Sequence, residues 1–114
     1  MAGFVHIPWY STGLRADRLA PALAGIASVS LRYGARSYAV HRSRDDRYKF
    51  LQIAEFERKD AWERYWNGPE FIDFRTLTSS WYQVPVLYVW HDLIAAGTVE
   101  PEVIAEGSAE VSRA

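Results

Sequence analysis

The sequence predicts a ferredoxin-like α+β sandwich with an antiparallel sheet, on three observations. Strand-like and helix-like stretches alternate in the order βαββαβ. The second helical stretch is interrupted at Asn67-Gly68-Pro69, and the strand-like stretches at the two ends of the pattern are apolar on both parities. The chain has 114 residues with 49% hydrophobic content, enough for one self-supporting core and too few for two.

Taken in order, Gly3-Phe-Val-His-Ile-Pro-Trp-Tyr10 is rich in β-branched and aromatic residues and reads as the first strand, with Pro8 expected near its end or on an edge. Ser11 or Thr12 offers a helix cap. Over residues 14–28, Leu19, Leu23 and Ile26 recur at helical spacing among alanines, and Pro21 is expected to kink or subdivide that helix. Residues 36–42 and 48–57 read as two strands joined by the polar stretch Ser43-Arg-Asp-Asp-Arg47. Asp60 with Glu63 three residues on resembles a capping box, opening a helix that places Trp62, Tyr65 and Trp66 on one face. Gly68 stops it, and Pro69 restarts a second half carrying Phe71, Ile72, Phe74 and Leu77. Residues 81–90, WYQVPVLYVW, read as a long final strand. Residues 1–94 are therefore expected to form the domain, and residues 95–114, without periodic pattern, a loosely docked tail.

Composition narrows the function classes. No cysteine is present, which rules out a disulfide framework or a thiolate nucleophile and suits a reducing cytoplasm. No signal peptide or membrane span is expected. A formal net charge of −1 gives no general attraction to nucleic acid. Residues 32–49 hold six basic against two acidic side chains, which reads as protection of a strand edge more readily than as an anion site. His6, His41 and His91 fall on three different strands without the short spacing of a metal motif, and no metal site is expected. Five Trp, seven Tyr and five Phe must fill a core, meet another subunit or line a pocket. If the first and last strands pair at the centre of the sheet, its second face needs a cover other than water, and a second copy of the chain is the expected one.

Phe56-Glu57, Arg58-Lys59, Asp60-Ala61-Trp62 and Asn67-Gly68-Pro69-Glu70-Phe71 follow, in order and spacing, a pattern similar to that of the antibiotic-biosynthesis-monooxygenase superfamily of dimeric α+β barrels. The likeness covers residues 48–90 and reaches the first half through topology. It implies a homodimer packed through the sheet and a monooxygenase that needs no cofactor, in which a deprotonated aromatic or phenolic substrate reduces O2 directly. On that reading His6 is the base. Tyr38, Tyr65 and Asn67 are hydrogen-bonding groups, and Trp62, Trp66, Phe74 and Trp81 are walls of a pocket between sheet and helices. The resemblance also extends to haem-degrading enzymes. Those place a haem-ligating His five residues after the Pro and a Trp two before the Asn, where this chain has Phe74 and Tyr65, and a phenyl ring cannot ligate iron. A non-catalytic binding or structural homodimer, with the aromatic residues simply as core, is the alternative.

Overall fold

A computed structural model describes residues 2–100. Its order is β1 (Gly3–Tyr10), α1 (Ala16–Val29), β2 (Ala35–Arg42), β3 (Lys49–Phe56), α2 (Lys59–Trp66), α3 (Pro69–Leu77) and β4 (Val89–His91), with short 3-10 turns before and after α1 and before the last segment. The sheet runs β2-β3-β1-β4, antiparallel throughout, which is the expected ferredoxin-like arrangement. All helices lie on one face.

The centre of the sheet is β1 with β3, and β4 sits on the edge, so the expected central pairing of first and last strands is corrected. The final strand is also far shorter than residues 81–90. Tyr82 bridges to Ser11 and the Gln83 N–H donates to the Tyr10 carbonyl, after which the chain leaves β1 and rejoins it only at Val89–His91, opposite Phe4–His6. This departure explains Pro8 inside a central strand. Tyr10 and Thr12 bond toward the last segment while Ser11 bonds toward Tyr48, so even-numbered residues of β1 turn their backbone groups to the β4 side. Pro8 therefore lacks its N–H where no strand is present to accept it.

Two smaller expectations fail for local reasons. Pro21 does not divide α1; it lies on the exposed face, where the Asp17 carbonyl it leaves unpaired meets water. Asp60 does not cap α2. Arg58 stands at that position without a side-chain cap, and Asp60, in the first turn, instead takes Arg58 and Arg64 as partners at 2.9 and 3.3 Å. Those two guanidiniums hold the Asp60 carboxyl down to about 2. The break between α2 and α3 forms as expected, with Gly68 in the cap position and Pro69 first in α3.

The core lies between the sheet and the helices. Val5, Ile7, Trp9, Phe50, Gln52, Ala54 and Phe56 point into it from β1 and β3, and Leu19, Leu23, Ala61, Trp62, Tyr65, Phe71 and Phe74 meet them. Trp90 closes one end, its ring lying where a Cβ on Gly3 would come within 2.5 Å. A polar chain crosses this apolar layer. Trp9 Nε1 donates to Gln52 Oε1 at 3.1 Å, Gln52 Nε2 to Tyr65 Oη at 3.1 Å, and Tyr65 Oη to the Ile26 carbonyl at 2.6 Å. Each donor is satisfied, as burial requires. Gln52→Leu is expected to leave Trp9 Nε1 without an acceptor and to lower unfolding stability by about 1–3 kcal/mol, measured by urea denaturation.

Candidate functional site

The direction of β1 decides where any site can be. Because Val5, Ile7 and Trp9 enter the core, Phe4, His6, Pro8 and Tyr10 stand on the opposite, helix-free face. The expectation that His6 faces the helices is thus corrected, and the cause is that both parities of β1 are apolar enough to be buried. His6 is only half-buried. Its ring meets that of His91 edge-on at 4.3 Å, while the opposite residues Ile53 and Val89 flank it. Burial, and then the neighbouring His91, lower its pKa below 6.5, so the imidazole is neutral at physiological pH. His6 Nδ1 is buried without a partner among the described residues.

The expected wall residues are on the other side of the sheet. Trp62 and Tyr65 are fully buried, their rings 5.8 Å apart, and Trp66 adjoins Trp62 at 5.3 Å. Phe74 joins them through Phe71 at 5.7 Å. Tyr88 covers this cluster from the last segment, 4.8 Å from Trp62 and 5.6 Å from Trp66. Arg75 is half-buried with its guanidinium 4.1 Å from the Trp66 ring. The rings pack against one another, and none of the principal hollows among the described residues lies within this layer. Burial pushes the Tyr65 phenol far above its ordinary range, which keeps it a neutral donor within the polar chain.

The remaining expected site residues are dispersed. Tyr38 lies on the outer strand β2 and is 40% exposed. Asn67 is exposed at the end of α2, on the rim of a shallow hollow with Tyr33, Asp60 and Arg64. Trp81 is half-buried before the last segment, with Arg18 over its ring at 5.7 Å. The structure therefore unites Trp62, Tyr65, Trp66 and Phe74 and separates them from His6 by the thickness of the sheet. No single small ligand can touch both groups.

A groove of about 840 Å³ opens where residues 83–87 depart from β1. Pro8, Tyr10, Lys49 and Leu51 floor it from the helix-free face, His41 and Ser43 line one side, and Val84, Pro85 and Leu87 overhang the other. Its size suits a small aromatic molecule, and its lining is largely apolar with a few polar groups. His6 stands on the same face of β1 as Pro8, one pleat further along. Pro8, Tyr10, His41, Lys49 and Leu51 share the period of two that marks one face of adjacent strands. What hid the groove is that its overhang forms only because the last segment leaves the sheet. No cluster of three or more metal-ligating side chains occurs among the described residues, and no helix there is long and apolar enough to cross a membrane.

Solved structures share this architecture. The chain superposes on Rv0793 of Mycobacterium tuberculosis with a TM-score of 0.73 at 14% identity, covering 86% of this chain and all of the other. A structure of an antibiotic biosynthesis monooxygenase matches at 0.71 and 14%, over 83% and 100%. A mutant form of SnoaB, a cofactor-independent oxygenase from Streptomyces nogalater, matches at 0.65 and 20%, over 89% and 97%. The chain has the antibiotic-biosynthesis-monooxygenase fold. At such identities the likeness establishes fold and not reaction. Among protein-family models and curated proteins, nothing matches the sequence.

Proposed function

We propose that this protein is a homodimeric, cofactor-independent monooxygenase-type enzyme that takes a small aromatic, phenol-like molecule in the groove on its helix-free face. The observation that carries the reading is the groove of about 840 Å³ one pleat along β1 from a histidine that is neutral at physiological pH and whose Nδ1 has no partner among the described residues. The coarse class is supported by the shared fold, including that of a cofactor-independent oxygenase.

The chemistry needs little from the protein. A neutral His6 removes one of the two protons of an activated methylene of the substrate. The carbanion gives two electrons to O2, forming a C–O bond to a peroxide that takes a proton back from the imidazolium. Loss of water then leaves a carbonyl at that carbon. One oxygen atom enters the product and the other leaves as water.

Dimerisation supplies the dry surroundings such a carbanion requires. Phe4, Ala39, Ile53 and Val89 make the helix-free face beside the groove largely apolar, and a second copy placed there by a two-fold axis would cover it. A buried His6 Nδ1 lacking a partner fits a face completed from outside.

His6→Ala is expected to abolish oxygen uptake with an active aromatic substrate while leaving the sedimentation coefficient unchanged; retained uptake removes His6 from the mechanism. The groups facing His6 are His91 on β4 and, diagonally on β3, Glu55, which is 3.6 Å from Arg36. Since the folded His6 has a pKa below 6.5, the acid limb of kcat is expected to fall with a midpoint below 6.5. The unfolded chain binds that proton more readily, so the same group makes stability decline as pH drops through 6.5.

The alternative, a binding dimer without catalysis, is favoured by one observation: Trp9, Trp62, Tyr65 and Phe71 fill the layer between sheet and helices. Ligand-induced fluorescence quenching without oxygen uptake would select it.

A further inference from the structure

The groove that the proposed function uses has a charge character of its own. Among the described residues no carboxylate lines it, whereas Lys49, Arg42 and His41 do. The two permanent cations differ in their engagement. Arg42 is committed: it pairs with Asp17 at 2.9 Å, donates from Nε to the Arg47 carbonyl at 2.8 Å, and lies over the Phe50 ring at 5.1 Å. Lys49 makes no ion pair among the described residues, and its side chain is exposed opposite Tyr10. Asp46, which does not line the groove, accepts from the groove residue Tyr10 through Oη at 3.2 Å and from the Tyr48 N–H at 3.0 Å. Ser43 and the Gln83 amide add neutral donors to the same lining.

An apolar lining of Pro8, Leu51, Val84 and Leu87 with an exposed ammonium on the floor complements a molecule that is flat and greasy at one end and anionic at the other. The geometry points to an aromatic carboxylate as the ligand, its rings on Pro8 and Leu51 and its carboxylate at Lys49. This rests on the reading of the groove as the ligand site and adds to it the charge of the substrate class.

The test uses a matched pair of probes, 2-naphthoate and 2-naphthylmethanol, titrated calorimetrically into the full chain at low and at high salt. Naphthoate is expected to bind at least about five-fold more tightly than the alcohol at low salt, with the preference shrinking as salt is added. Lys49→Gln is expected to weaken naphthoate about two- to five-fold, the range for an exposed charge pair, without changing the alcohol. Arg36→Gln removes the same charge from the sheet outside the groove, and it is expected to change neither.

Equal affinity of the two probes, or equal losses in the Lys49 and Arg36 variants, overturns the carboxylate assignment and leaves an aromatic site standing. Binding of neither probe overturns the assignment together with the groove as a ligand site.

Discussion

Trp62→Ala is expected to lower the unfolding free energy by about 3–5 kcal/mol, a large part of the roughly 5–15 kcal/mol available to a domain of this size. Trp62 is fully buried and touches Phe56, Tyr65, Trp66 and Tyr88. Alanine would leave a cavity among rings that cannot collapse without disturbing the polar chain through Tyr65 and Gln52. Part of the loss is offset, because Trp62 Nε1 is buried without an acceptor among the described residues. Trp62→Phe, which keeps most of the ring contact and removes that N–H, is therefore expected to lose far less. Urea denaturation of the two variants measures the difference. Similar large losses in both would show that Nε1 has a partner and that the indole is held by more than packing.

Ile53→Lys is expected to convert the proposed dimer to a folded monomer, weakening self-association at least about 100-fold, which corresponds to roughly 2.7 kcal/mol. Ile53 is half-exposed on β3, between His6 of β1 and Ala39 of β2 on the helix-free face. A lysine there remains hydrated in one copy but would be desolvated against a second. Sedimentation across a concentration series, with circular dichroism as the check on folding, reads the outcome. Wild-type protein that stays monomeric at high concentration removes the two-fold assembly from the proposed function, and a variant that still dimerises places the interface elsewhere.

Much of the fold could be read from local pattern. Gly68-Pro69 can end one helix and begin another whatever surrounds it, because the restriction lies in their own backbones. Leu19, Leu23 and Ile26 specify the buried stripe of α1 by spacing alone, and those residues are buried as expected. The site was less legible. Helical spacing puts Trp62, Tyr65 and Trp66 on one face of α2, yet ring count does not distinguish a pocket wall from a packed core, and the rings close on one another. Lys49 reads as part of a charged strand edge and His41 as one of three scattered histidines, and only the overhang of residues 83–87 makes them part of a groove.

By itself, the sequence determined the order of elements, the broken second helix and the helical faces, since each follows from backbone preference or a short apolar period. It also carried, in Pro8, a hint that β1 has an unpaired stretch. Tertiary structure alone decided which face of β1 is inside, where β4 ends and which side chains share a hollow. The physical reason is that β1 is apolar on both parities, so turning it over exchanges one buried set for another at little local difference in free energy. That choice is settled by what the helices bring: Trp9, not His6, fits against Phe71, Phe74 and Tyr82.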